Sequence, residues 1–327
     1  MNALEKSAPP SRTHTKKQGL AVTSTSLRHE ANAWSHYWRT TPAAARGCLP
    51  DLPGVAADHL QEIWRQFFAS LPRNARLLDL GTGGGAVLTE AQAVRPDLQL
   101  SGVDYAAVLP ELGTAITLYP ETGIEKLPFA DGSFEAITSQ FAIEYTDITA
   151  ATQEVARVLT CEGTFLFICH HADGVIVRDN LARLKAIRDI LSSAGLLSTA
   201  ILAIRRRKKS DPETWQRLAR IFTTTQRKHP GQSLVKELAD DIARIMSEPN
   251  SLEKLLALRH AVEMEGQRIM ALKKAALTGN QARALAEALS LKQQPHLGVV
   301  HVPGVSAPFA WWISNLSRAT LPACSGG

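Results

Sequence analysis

The stretch LLDLGTGGGAVLTE, residues 77–90, places four glycines in the five positions 81–85, between a hydrophobic run and a helix-forming run. Glycine clusters at such junctions serve a backbone that turns sharply or approaches a ligand closely. The flanking segments decide the fold. ARLLDLG (75–81) reads as a short buried strand, and GAVLTEAQAVR (85–95) as a helix that Pro96 stops. LQLSGVD (98–104), TAITLY (114–119), SFEAITSQ (133–140) and GTFLFICH (163–170) are predicted strands. DITAATQEVARVL (147–159) is a predicted helix with Asp147 placed as its N-cap. Strands alternating with helices at this spacing imply a mostly parallel sheet covered on both faces. Such folds bind ligands beyond the carboxyl ends of their strands.

The rest of the chain has a different texture. In GVAADHLQEIWRQFFASLP (54–72), Leu60, Ile63, Trp64, Phe67, Phe68 and Leu71 recur every three or four residues, one face of a helix. Residues 26–72 therefore read as an N-terminal helical cap, and the polar segment 1–25 as a disordered tail. Trp34, Tyr37 and Trp38 are either a lid over the site or hydrophobic anchors for the cap. Residues 175–294 are almost wholly helix-forming, with Leu255, Val262, Ile269 and Ala276 at a spacing of seven. Strand signals return at HLGVVHV (296–302) and FAWWISNLS (309–317), so 295–320 supplies two last strands and 175–294 is a helical insertion.

Composition excludes little. The 327 residues are 45% hydrophobic and 20% charged with net charge +5, ordinary for a soluble domain and only mildly basic, so nucleic acid is disfavoured as a partner. The four cysteines form no CxxC pair, which fits reduced thiols and a cytoplasmic protein. The uncharged run 190–204, at 15 residues, is short for a membrane span. RRRKK (205–209) follows it directly, either as a solvated charge run or as a patch for a membrane surface or RNA phosphates. Cys169, His170, His171 and Asp173 cluster in sequence, but neighbours on a strand point to opposite faces, so no metal is expected.

Gly81, Gly83 and Ala86 fit the dinucleotide pattern G-x-G-x-x-[GA]; Gly81, Gly83 and Gly85 equally fit G-x-G-x-G. Asp79, two positions before the first glycine, separates the two. An acid there repels a pyrophosphate and attracts the ammonium and sulfonium of S-adenosylmethionine. Asp104 ends the next strand, where a carboxylate accepts from ribose hydroxyls of either ligand. A nicotinamide oxidoreductase survives only on the glycine pattern.

Two further segments, IEKLPFADGSFEAITSQFAIEYTD (124–147) and EVARVLTCEG (154–163), carry a family resemblance. Together with the glycine loop, residues 75–170 resemble the class I S-adenosylmethionine-dependent methyltransferases, in the branch of the ubiquinone and menaquinone C-methyltransferases. The resemblance implies a Rossmann-like, seven-stranded, mostly parallel methyltransferase sheet of α/β class, here with a large helical insertion after strand five. It implies that Gly81, Thr82, Gly83 and Gly85 underlie the methionine part of the cofactor and that Asp79 faces its ammonium. Asp104, with Tyr105 next to it, would hold the ribose, Ile124 and Glu125 would line the adenine, and Gln140 and Phe141 would flank the sulfonium. The chain departs from the family at Gly123, where an aspartate usually accepts from the adenine amino group, and at 160–163, where Lys-Pro-Gly-Gly is usual. The interval from Asp104 to Leu127 is short, so the helix after strand two is expected to be trimmed.

Methyl transfer from a sulfonium needs alignment more than proton transfer. Where the nucleophile arrives protonated, Glu144 and Tyr145 past strand four, or His170 and His171 at the end of strand five, are the candidate groups. The leading expectation is a methyltransferase acting on an aromatic, quinone-like or polyketide-like small molecule under a helical roof. An RNA methyltransferase gripping phosphates with 205–209 and 226–229 is the alternative, though the strand-four motif common in base-amino methyltransferases is absent. A third is a non-catalytic scaffold that keeps the fold.

Overall fold

The computed structural model describes residues 54–290 and 294–321. The tail, the first part of the N-terminal cap and the lid candidates Trp34, Tyr37 and Trp38 lie outside them. The described chain opens with α1 (Gly54–Ala69), whose buried face is the stripe predicted above, continued by Leu71. Then come β1 (Arg76–Leu80), α2 (Ala86–Val94), β2 (Gln99–Val103), β3 (Ile116–Tyr119), β4 (Phe134–Gln140), a 3-10 turn (Ile143–Tyr145), α3 (Ile148–Val158) and β5 (Leu159–His170). No helix lies between β2 and β3, in accord with the short interval there. Asp147 caps α3 by accepting from the backbone N–H groups of Thr149 and Ala150 at 3.0 and 3.1 Å.

The strands form one seven-stranded sheet in the order β3-β2-β1-β4-β5-β7-β6, with β6 (His296–Val300) and β7 (Ala310–Ser314) last. All neighbours pair in parallel except β7, which runs antiparallel to both β5 and β6. β1, inside the sheet between β2 and β4, is buried on both faces after its first residue, as a near-continuous apolar run requires. The register matters for the site. Leu80 pairs with Val103 on one side and Ser139 on the other, and Gln140 pairs with Ile168. The carboxyl ends of β1, β2, β4 and β5 therefore emerge together.

β5 starts four residues before the predicted GTFLFICH run. Leu159 leaves α3 directly into a pair with Phe134, and the ladder shifts register before Thr164 meets Ala136. The residues 160–163 absorb that shift, at the position where the family's turn is altered.

Six helices separate β5 from β6: α4 (Val175–Leu191), α5 (Leu196–Arg205), α6 (Pro212–Lys228), α7 (Ser233–Ser247), α8 (Ser251–Ala275) and α9 (Gly279–Ala288). The first five build their own core around Leu184, Ile187, Leu197, Leu238, Leu255 and Ile269. Leu255, Val262, Ile269 and Ala276, the seven-spaced set, are all buried. α9 instead packs on α3 and β6 and gives Ala282, Leu285 and Ala286 to the core of the sheet. By length and hydropathy, 175–205 could cross a membrane, but it is broken into α4 and α5 and half of its most apolar window is buried in the fold. The break needs Gly195: a Cβ there would collide with the carbonyl oxygens of Asp189 and Ile190.

Candidate active site

The glycine loop joins β1 to α2 with left-handed backbone at Gly81 (φ 66°), Gly83 (φ 49°) and Gly85 (φ 74°), conformations that disfavour a side chain. Space forbids one as well at Gly81, where a Cβ would strike the Cβ of Ala142 just past β4. The loop is thus pressed between the ends of β1 and β4.

Two carboxylates flank it. Asp104 is buried and accepts from the N–H of Gly83 through Oδ2 and from that of Ala106 through Oδ1, both at 2.8 Å. It pins the glycine loop to the end of β2, and each oxygen keeps a lone pair for a further donor. Burial raises its pKa, and the two N–H groups act against that. Asp79 on β1 is 2% exposed and accepts from the Thr138 hydroxyl at 2.8 Å. Burial pushes its pKa up to about 7, against the hydrogen bond from Thr138, and nearby Asp104 adds repulsion. Two acids thus share one desolvated corner, where a bound cation would favour their ionised forms. Thr82, buried between them in sequence, donates its N–H to the Val103 carbonyl at 2.9 Å.

The adenine side shows what the departure at Gly123 leaves behind. A Cβ on Gly123 would stand 3.1 Å from Oε2 of Glu125 and 3.8 Å from the ring of Tyr105. A carboxylate from two residues downstream thus borders the place where the family's aspartate projects. Glu125 Oε1 meanwhile accepts from the N–H of Asp147 at 3.2 Å. Ile124 is buried, and Tyr105 is 47% exposed.

Beyond β4, Gln140 Oε1 accepts from the Trp64 indole N–H at 2.6 Å, fastening α1 to the end of the strand. Trp64 was legible only as a core residue of its helix. Phe141 has φ 57°, uncommon for a bulky side chain, and is held there by its N–H to the Ile168 carbonyl at 2.7 Å and by stacking on the His170 ring at 4.2 Å. His170 is 2% exposed and its Nδ1 lies 2.8 Å from Glu144 Oε1, which also accepts the His170 backbone N–H at 2.8 Å. A carboxylate neighbour selects the tautomer with the proton on Nδ1. The Glu144 side chain is fully enclosed and its Oε2 meets no partner among the described residues. Burial, then the Glu144 carboxylate, raises the Cys169 thiol well above its ordinary range. The edge of Tyr145 faces the His170 ring at 5.9 Å.

Of the four candidate catalytic residues, three gather here and one does not. His171 turns to the other face of the sheet, where it stacks on Trp311 at 4.3 Å and accepts from the Asp173 N–H through Nδ1 at 3.1 Å. Burial lowers its pKa, partly opposed by Asp173. Alternation along the strand direction puts successive residues on opposite faces, so His171 packs on Trp311 and faces away from this cleft.

A seven-stranded sheet of this order, with a left-handed glycine loop after β1, an acid within β1 and another just past β2, is a Rossmann-like architecture. The residues would fit S-adenosylmethionine: a loop without room for side chains at Gly81 and Gly85, a buried acid, and a second carboxylate with lone pairs to spare. Within that class, residues 78–167 match the family model described as a methyltransferase domain. A demethylmenaquinone methyltransferase of Roseiflexus sp. (strain RS-1) is 39% identical over 114 residues, covering 32% of this chain and 48% of its own length. A ubiquinone/menaquinone biosynthesis C-methyltransferase of Geotalea uraniireducens (strain Rf4) is 33% identical, covering 31% of this chain and 48% of its own. The chain spans about half the length of these curated relatives. A solved S-adenosylmethionine-dependent methyltransferase of Leishmania major overlays 43% of this chain and 61% of its own at 20% identity and a TM-score of 0.35, too loose a likeness to carry weight.

Proposed function

We propose that the chain transfers a methyl group from S-adenosylmethionine to an apolar small molecule of aromatic, quinone-like or polyketide-like kind. The observation that carries this is the convergence of the glycine loop, Asp79 and Asp104 at one edge of the sheet. That edge falls within the segment most similar to curated methyltransferases. When bound, S-adenosylmethionine supplies an electrophilic methyl group whose departure leaves a neutral thioether.

The chain's own groups bind and align. Asp79 draws the ammonium, the spare lone pairs of Asp104 accept from the ribose, and Glu125 and Tyr105 border the adenine. Phe141, fixed by His170, presents an aromatic wall beside the methyl group, and Phe309 packs edge-on to it at 6.4 Å. Such a wall favours an apolar acceptor. α8 packs on the 3-10 turn and sends Leu272 and Ala276 into the same core as Phe141, so the helical insertion roofs this edge. Glu144 and His170 act as a positioning pair, because both side chains lie under the wall and away from solvent.

Calorimetry with S-adenosylhomocysteine tests the reading. Micromolar binding is expected, weakened about 10- to 100-fold in Asp104→Ala, the range for lost hydrogen bonds to a charged group. Absence of binding to the wild type would favour the scaffold reading. A variant that bound like the wild type would remove Asp104 from the ribose site.

A further inference from the structure

We infer that the exposed corner between α5 and α6 seats the protein on an anionic phospholipid surface. This rests on the surface alone and not on the identity of the methyl acceptor.

The charge of the chain is concentrated here. Residues 205–228 hold nine Lys and Arg against two acids, a net +7, whereas the whole chain is +5 and the remaining residues therefore sum to −2. Residues 205–210 are exposed without a break. Arg217, Arg220 and Arg227 extend the patch along one stripe of α6, all exposed. Among the described residues, no carboxylate answers the cations at 205–209, 217, 220 and 227. The contrast with the neighbouring helices is sharp. Lys236, Arg244, Lys254 and Arg259 on α7 and α8 each pair with an acid at 2.9 Å or less. Of the two acids inside the patch, Asp211 caps α6 by accepting from the Glu213 N–H at 3.1 Å. The chain's own N-terminal residues 1–53 carry seven Lys and Arg against three acids, so they do not offer a complementary cover.

Apolar groups stand beside these cations. Leu202 is 40% exposed and Trp215 is 36% exposed. The Trp215 indole N–H is already donated to the Lys209 carbonyl at 2.9 Å, so the ring is tied to the basic turn with its polar group satisfied. A protruding basic turn with a tryptophan and a leucine at its flank matches the headgroup region of a bilayer. Arginines there neutralise phosphates while the indole enters the interface. An RNA site would need the cations and would have no use for an exposed leucine.

Sedimentation of the full chain with vesicles tests this. Binding is expected to vesicles containing about one-third phosphatidylglycerol and not to pure phosphatidylcholine, falling as salt rises. Arg206→Gln/Arg207→Gln/Lys208→Gln is expected to lower partitioning about 100-fold, from about 5-fold per cation near an anionic surface. Its thermal melting should be unchanged, since these side chains have no ion-pair partners among the described residues. Trp215→Ala is expected to weaken binding several-fold with the charges intact. The inference is overturned by equal behaviour on the two vesicle types, by a triple variant or a Trp215→Ala protein that partitions like the wild type, or by an RNA oligomer that binds more tightly than the vesicles at equal salt.

Discussion

Asp79→Asn is expected to stabilise the unliganded protein at pH 8 and to cost it most of its affinity for S-adenosylhomocysteine. The two effects share one cause. Asp79 is buried on β1, where burial raises its pKa to about 7 from 3.8. A raised acid binds its proton more tightly in the folded chain than in the unfolded one. No penalty exists below about pH 4, and stability is lost as pH rises through about 7, where the folded carboxyl must ionise. The difference between 3.8 and about 7 sets an upper bound near 4 kcal/mol at pH 8. Asparagine keeps an oxygen for the Thr138 hydroxyl and carries no charge. A gain of about 2 kcal/mol would raise the melting temperature of a domain this size by about 4–8 °C. The same charge is what an ammonium ligand recognises. Affinity of the wild type should therefore fall as pH drops below about 7, and the asparagine variant should bind about 10- to 100-fold more weakly at pH 8 with little pH dependence. Melting curves and calorimetry at pH 5.5 and 8 on both proteins measure all of this. Equal stability at pH 8 would mean that Asp79 is not paying a desolvation cost, and equal affinity would mean that it does not face the ammonium.

That tension explains how the site came to be readable in sequence. An acid in the middle of an apolar run, followed by glycines, breaks the local pattern of a buried strand, and such breaks are where function is expected. Asp79 and Gly81 stand out for that reason and Asp104 for its place at the end of the next strand, and the structure brings the three together through left-handed glycines and the bond from Gly83 to Asp104. Alternation of strand and helix implied a mostly parallel sheet, which the structure has, but it did not give the strand order, the start of β5 or the packing of α9. The last two depend on pairing with distant segments: Leu159 with Phe134, and α9 with β6. Periodicity reports which face of an element is apolar and is silent on which partner covers it. For the same reason the sequence could name Gln140, Glu125, Glu144 and His170 as residues near the cleft but could not show their engagements with Trp64, Asp147 and each other. Proximity of His170 and His171 in sequence suggested two equivalent candidates, and the alternation of the strand separated them.

The Glu144–His170 pair carries the other large expected effect. Glu144→Ala removes the acceptor for both the backbone N–H and the ring Nδ1 of His170, two donors in a site closed to water. Leaving two buried donors without an acceptor costs on the order of 1–3 kcal/mol each, a large share of the stability of an ordinary domain. Glu144→Gln keeps one oxygen in place and should cost about 1–2 kcal/mol. If the pair positions the Phe141 wall, Glu144→Gln retains most of kcat, and His170→Phe, which keeps a ring against Phe141, loses kcat with the shape of the pH–rate profile preserved. If His170 instead takes a proton from the acceptor through Nε2, every substitution of it should cost about 10²- to 10⁴-fold in kcat and erase the acidic limb of that profile. With the histidine only 2% exposed and the carboxylate wholly enclosed, the first pattern is the expected one. The imidazole then serves by its stacking and its hydrogen bond, holding a phenylalanine in a backbone conformation that it would not adopt unaided.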